Sequence, residues 1–186
     1  MAKVSSGVTL TADFYLNNFY QANRSARKSS GRKELTTNEL SYEDARALKR
    51  AISRLGSYSF SDDDNLENVQ STIQAFADTY NNTLESTAKS DSSDLRRQSR
   101  QLKAMAEKYS DQLKVIGITV EKDGSMSVSK TTLKGADISE IKKVFSKETS
   151  DLLKKANSIA RRVSSNSYDA LYQELTGNGG KINITL

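Results

Sequence analysis

The chain has 186 residues, a formal net charge of +5, and no Cys, His, Pro or Trp. Lacking Cys and His, it has no disulfide, no thiolate or imidazole metal ligand, and neither the thiol nucleophile nor the commonest general base. Only 35% of residues are hydrophobic and the mean hydropathy is −0.65, so a narrow core is expected, and without proline nothing forbids long unbroken helices.

The excess of cations belongs to one third of the chain. Residues 1–60 hold ten Lys/Arg against five Asp/Glu, whereas in residues 61–186 eighteen of each cancel. Met1 to Gly7 has no apolar region behind it, so no Sec-type signal peptide is expected. No run of about eighteen apolar residues occurs that would span a membrane.

A first helix is expected from Thr9 or Thr11 to Ala26, with Thr11 as N-cap and Phe14, Phe19, Ala22 and Ala26 near one face. Arg24, Arg27, Lys28, Arg32 and Lys33 follow, interleaved with Ser29, Ser30 and Gly31. Such a run reads either as a solvated loop or as a patch for nucleic acid or another polyanion. The next helix is expected to open at Ser41, with Glu43 and Asp44 at the positive end of its dipole. Ala45, Leu48, Ile52 and Leu55 form its stripe, and Gly56 stops it. Asp62 to Asn65 superficially resembles a calcium loop but lacks the glycine and the distal glutamate, so helix-capping carboxylates are the expectation.

Leu66, Val69, Ile73, Phe76, Tyr80 and Leu84 are spaced by threes and fours, which predicts a helix from Asn65 to Ala88, about 35 Å long. After a polar turn, Asp94 is the expected cap of a helix in which Leu95, Leu102, Tyr109 and Ile116 recur every seven residues, with Ser99, Ala106 and Leu113 beside them. Seven-residue recurrence is the mark of helices that supercoil left-handedly, and the short turn makes these two helices antiparallel neighbours.

The period then switches from helical to two-residue. Ile116, Ile118 and Val120 alternate with Gly117, Thr119 and Glu121, and Met126 and Val128 repeat the alternation after Asp123-Gly124. That dipeptide readily supplies the positive φ of a tight turn, so a β-hairpin between helices is expected. Asp137 should cap a further helix with the stripe Ile138, Ile141, Phe145, Thr149, Leu152, Ala156, Ile159 and Val163, continued by Leu171, Tyr172 and Leu175. Ser164 to Ser167 is a place where it would bend, and Gly177 to Gly180 ends it. Lys181 to Leu186 alternates as a terminal strand that needs a partner edge.

Catalytic chemistry finds little support. Ser86 and Lys89, Ser127 and Lys130, and Ser139 and Lys142 match a Ser-x-x-Lys spacing, without companion motifs and in a chain rich in both residues. Tyr80, Tyr109, Tyr168 and Tyr172 lie on or beside the helical stripes and read as core or interface.

Ile73-Gln-Ala-Phe-Ala-Asp-Thr-Tyr-Asn81 resembles the FVDAYN helix in the C-terminal part of the flagellar hook-associated protein 2 family, the filament cap. Leu113-Lys-Val-Ile-Gly-Ile-Thr-Val, Asp123-Gly-Ser-Met-Ser127, Leu133 and Val144-Phe145 follow in that family's order and spacing. The resemblance covers about ninety residues, from 73 to 163. It does not extend to the family's β-rich outer domains, for which this chain is too short, nor to its N-terminal signature or the basic segment. It implies a protein exported through the flagellar apparatus without a cleaved signal, assembling by coiled-coil regions and working outside the cell on the bacterial flagellum.

The expected fold is mainly α: an elongated antiparallel coiled-coil bundle with a small β-hairpin over residues 115–130 and a C-terminal strand. Residues 1–60 form a basic helical region, and residues 61–186 form the coiled-coil unit with its hairpin. The expected function is a non-enzymatic structural or assembly protein without cofactor, metal or small-molecule substrate. Its partners would be copies of itself or flagellar axial proteins. Phe76, Tyr80, Leu102, Tyr109, Leu113, Phe145 and Leu152 would carry the core and interface, and Gly117, Asp123 and Gly124 the hairpin. The alternative is an intracellular, cytoplasmic helical module that binds nucleic acid through Arg24, Arg27, Lys28, Arg32 and Lys33.

Overall fold

A computed structural model describes residues 8–61, 64–147 and 150–177. In chain order these form α1 (Ala12–Phe19), a 3-10 turn (Arg24–Arg27), α2 (Ser29–Arg32), α3 (Thr37–Leu55), α4 (Leu66–Ala88), α5 (Ser93–Lys108) and α6 (Ser110–Val115). Then come β1 (Ile118–Val120), β2 (Met126–Val128), α7 (Lys130–Gly135), α8 (Ile138–Phe145) and α9 (Asp151–Gly177). The described chain is therefore mainly helical with one two-stranded antiparallel sheet, as expected.

Short polar side chains start the long helices. Thr36 accepts from the Glu39 N–H at 3.2 Å while the Glu39 carboxylate accepts from the Thr36 N–H at 2.7 Å, a capping box that opens α3. Asn65 caps α4 and Ser92 caps α5. The helices close into a bundle in which α3 packs on α4 and α9, and α5 packs on the same two. Neighbours run antiparallel. Asn38 at the start of α3 donates to Glu174 near the end of α9 at 2.6 Å. Tyr58, just past α3, reaches Thr72 near the start of α4 at 2.9 Å, and Tyr80 of α4 donates to the Leu102 carbonyl of α5 at 3.1 Å. The boundary expected near residue 60 thus falls between two helices, α3 and α4, that share one core.

Several expected boundaries shift. The first helix does start at Thr11, which accepts from the Phe14 N–H, but it ends at Phe19 rather than Ala26. Tyr20 leaves the helix and its ring is fully buried. The buried face of α1 is Tyr15 and Phe19, while Phe14 is exposed. Ser41 lies buried inside α3 instead of capping it, because the capping box starts the helix more than a turn earlier. Asp94 stands in the first turn of α5, behind its cap Ser92. The seven-residue series Leu95, Leu102, Tyr109 and Ile116 is buried throughout, yet the helix breaks at Tyr109 between α5 and α6.

Asp137 caps α8 as expected, but the chain leaves the helix at Ser146 and α9 begins separately at Asp151. Ser164 to Ser167 does not interrupt α9: Ser167 faces the core and is fully buried. Tyr172 and Leu175, expected to extend the stripe, are exposed, as is Leu66 in α4. Of the expected capping carboxylates, Asp64 instead accepts from the Ser59 hydroxyl and the Phe60 N–H; Asp62, Asp63, Thr149, Asn178 to Gly180 and the terminal strand from Lys181 to Leu186 lie outside the described residues.

Candidate functional site

The hairpin forms where the period switches. β1 and β2 pair antiparallel with Ile118 opposite Val128, Thr119 opposite Ser127 and Val120 opposite Met126. Gly124 turns the chain at φ +90° and donates its N–H to the Glu121 carbonyl at 2.8 Å. Asp123 accepts from the Ser125 hydroxyl at 2.6 Å and from its N–H at 2.9 Å, and these bonds hold the carboxyl below the usual carboxylate range. Gly117 sits at φ +85°, where the glycine is also demanded by space. A Cβ there would stand 2.8 Å from the Thr132 Cβ and 2.9 Å from the Leu133 backbone nitrogen.

Two adjacent residues of α4 hold this hairpin. The Tyr80 hydroxyl reaches the Gly124 carbonyl at 2.9 Å as well as Leu102, bridging the turn to α5. Burial pushes the Tyr80 phenol well above its ordinary pKa. Asn81 beside it donates to the Met126 carbonyl and accepts from the Met126 N–H, each at 2.8 Å. A single amide side chain thereby pairs with the edge of β2 as a neighbouring strand would. Further along, Gln70 of α4 donates to the Leu133 carbonyl at 3.2 Å. The Phe76 and Phe145 rings meet edge-on with centroids 5.6 Å apart. All seven expected stripe residues, Phe76, Tyr80, Leu102, Tyr109, Leu113, Phe145 and Leu152, are buried.

The basic segment is partly consumed from within. Asp44 of α3 is fully buried and accepts both guanidinium nitrogens of Arg32, at 2.7 and 2.9 Å, and the Tyr20 hydroxyl at 2.7 Å. Asn82 of α4 donates to that same hydroxyl at 2.9 Å. Burial, then the Asp44 charge, raises the Tyr20 phenol well above its ordinary pKa. Arg27 is engaged by Asp13 at 2.8 Å and Asn17 at 2.7 Å. Arg24, Lys28 and Lys33 remain exposed. The segment therefore straps α1 and α2 onto α3 and α4, using two of its five cations to do so.

Among the described residues, no group of three or more His, Cys, Asp or Glu side chains is placed to hold a metal, and no helix is long and apolar enough to cross a membrane. A groove of about 560 Å³ between the end of α3 and the start of α9 is lined by Lys49, Ile52, Ser53, Lys147, Leu153 and Asn157 among others.

The distal part of α9 is the most exposed apolar surface of the bundle helices. Tyr168, Tyr172 and Leu175 are 58, 61 and 78% accessible. Tyr42 of α3 lies beneath, its ring 6.2 Å from that of Tyr168, with the Arg46 guanidinium over Tyr42 at 5.2 Å. The chain matches no known family model, no curated protein and no solved structure.

Sequence reasoning singled out Tyr80 and Gly124, but gave Asn81, which holds the hairpin, no role beyond the resembling motif and did not single out Tyr20; it put Asp44 at the positive end of a helix dipole, whereas Asp44 lies buried inside α3 as the acceptor of the strap. The Asn81 signal was present in principle: a polar residue directly beside an apolar stripe position, in a helix otherwise read for its apolar face.

Proposed function

We propose that the chain is a non-enzymatic structural protein, akin to the helical core of the flagellar filament cap, that self-associates through apolar helix faces. The observation that supports it is convergence. The pieces that carry the family resemblance, Phe76 to Asn81, the hairpin of β1 and β2, Leu133 and Phe145, lie far apart in sequence yet pack as one unit. Tyr80 and Asn81 hold Gly124 and Met126, Gln70 holds Leu133, and Phe145 meets Phe76. That these weak motifs, ordered along the chain, meet in one folded unit is what supports the reading. The same reading carries export without a cleaved signal and a place on the flagellum.

The alternative, a cytoplasmic module that binds nucleic acid, is left with Arg24, Lys28 and Lys33 as its exposed cations, since Arg27 is paired with the surface carboxylate of Asp13 and Arg32 with the buried one of Asp44. Light scattering on the full chain at low and high salt tests the choice. Association through apolar faces persists at high salt, where exposed charges are screened. A strict monomer with tight nucleic-acid binding that falls steeply with salt, by a log-log slope of roughly −0.7 to −0.9 per phosphate contact, would overturn the structural reading.

A further inference from the structure

We propose that the distal part of α9, residues 164–177, is a clasp that swings off one end of the bundle while the rest of the chain stays folded. The inference does not depend on the structural reading above. It rests on a polar layer inside the core and on a run of poor helix formers beside it.

Contacts between the helices fix which buried side chains share a level. Asn38 meets Glu174 and Tyr42 meets Tyr168, which sets Ser41 and Ser167 within a turn of each other across α3 and α9. Asn38 also accepts from the Ser90 hydroxyl at 3.3 Å, and Asp44 and Asn82 share the Tyr20 hydroxyl, so Ser41 lies level with Ser86 of α4. The Ser99 hydroxyl donates to the Leu84 carbonyl at 3.3 Å, which brings Gln98 of α5 to the same level. Each of these four helices thus contributes a buried polar residue, Ser41, Ser86, Gln98 or Ser167, within about one helical turn. Among the described residues the Ser41 and Ser167 hydroxyls and the Gln98 amide oxygen have no hydrogen-bond partner. Buried polar atoms in that condition favour any state that hands them to water.

The layer divides α9. Leu152, Leu153, Ala156, Ile159, Ala160 and Val163 are buried and all precede it, whereas from Ser164 to Gly177 the one buried residue is Ser167, with Leu171 half-buried. Undocking the distal part therefore uncovers little apolar surface, while undocking the proximal part would uncover a stripe of the core. The joint between them is Ser164-Ser-Asn-Ser167, residues of modest helix propensity whose side chains compete for backbone hydrogen bonds. The run stays helical in the closed bundle and supplies the hinge of the open one. Once released, the segment is too short to hold a stable helix by itself.

Because the chain contains no cysteine, single thiols report the opening directly. Ser167→Cys and Ala160→Cys each place one thiol at a fully buried position, the first in the clasp and the second before it. Under native conditions Ser167→Cys should react with a dithionitrobenzoate reagent on the order of a hundredfold faster than Ala160→Cys. Low urea should scarcely change that rate, because a local opening exposes little surface. Gln98→Leu makes the layer more apolar and should slow the Ser167→Cys reaction on the order of tenfold. In the unsubstituted chain, amide-exchange protection should drop in one step between Val163 and Tyr168, not decline gradually toward Gly177 as a fraying helix end would. Equal reactivity of the two thiols, a gradual decline of protection, or a Ser167→Cys reaction that Gln98→Leu leaves as fast as before would each overturn the clasp.

Discussion

Asn81 meets Met126 with both ends of its side-chain amide, donating to the carbonyl and accepting from the N–H at 2.8 Å each. A two-stranded sheet is marginal alone, and here a helix supplies the missing third partner without contributing a strand. Met126 is only 4% exposed, so water cannot easily replace what Asn81 provides. Asn81→Ala should therefore cost about 2–4 kcal/mol, the sum of two buried groups left unpaired. Urea unfolding measures the loss, and amide exchange at Met126 should accelerate more than exchange in α9. A variant as stable as the parent would show that the hairpin docks by other means.

The two turn glycines should respond unequally. Both have positive φ, which costs an L-residue about 1–2 kcal/mol. At Gly124 a new Cβ meets the side chain of Lys103, which can swing away. At Gly117 it meets the Leu133 backbone, which cannot. Gly117→Ala should thus lower the melting temperature more than Gly124→Ala, and the reverse order would contradict the packing described.

The strap depends on one buried carboxylate. Asp44→Ala leaves the Arg32 guanidinium and the Tyr20 hydroxyl without their shared acceptor and should cost about 3–5 kcal/mol. Adding Arg32→Leu and Tyr20→Phe should recover a good part of that loss, because no uncompensated polar group then remains. Arg24→Ala, on the exposed flank, should stay within about 0.5 kcal/mol of the parent. Denaturation midpoints for these variants decide the matter.

Alkaline pH should unfold the protein. The Tyr20 and Tyr80 phenols are raised well above their ordinary value and burial pushes Tyr58 up to about 12. In the unfolded chain these groups release their protons near pH 10 while the native state keeps them, so the native state binds more protons and stability falls as pH rises. Below about pH 10 their contribution is complete. Each such tyrosine should add up to about 1.4 kcal/mol per pH unit to the slope between its unfolded and folded values. Thermal melts from neutral to strongly alkaline pH should show a flat region and then a decline, shallower for Tyr58→Phe. Stability that is unchanged well above pH 10 would contradict the burial of these rings.

The legible parts of the fold were those governed by local periodicity. Leu66 to Ala88 shows a stripe at threes and fours behind an Asn cap, and the helix has those bounds. Asp123-Gly124 between alternating segments announced the turn. Thr36 and Glu39 form a capping box that is readable in the sequence, but Ser41 with its following acids offers a competing start. What stayed hidden depends on distance in sequence. Nothing local marks Asp44 as the acceptor for Arg32 and Tyr20, and charges counted along a chain do not reveal which are spent internally. The break at Tyr109 is likewise invisible, because the seven-residue series runs across it undisturbed.

The place of the hairpin in the chain also bears on the order of folding. The α3–α4 and α4–α5 contacts join helices that are adjacent in sequence, but α9 meets α3 only after everything from Gly56 to Ser150 has been threaded between them. Closing that interval costs chain entropy and slows its contacts, so α9 should dock last. Until it does, the groove between α3 and α5 is open, and the α9 of a neighbouring chain fits it as well as the chain's own. Refolding at high protein concentration should therefore yield exchanged dimers that dilute refolding avoids, with the outcome set by the time α9 waits rather than by the final contacts.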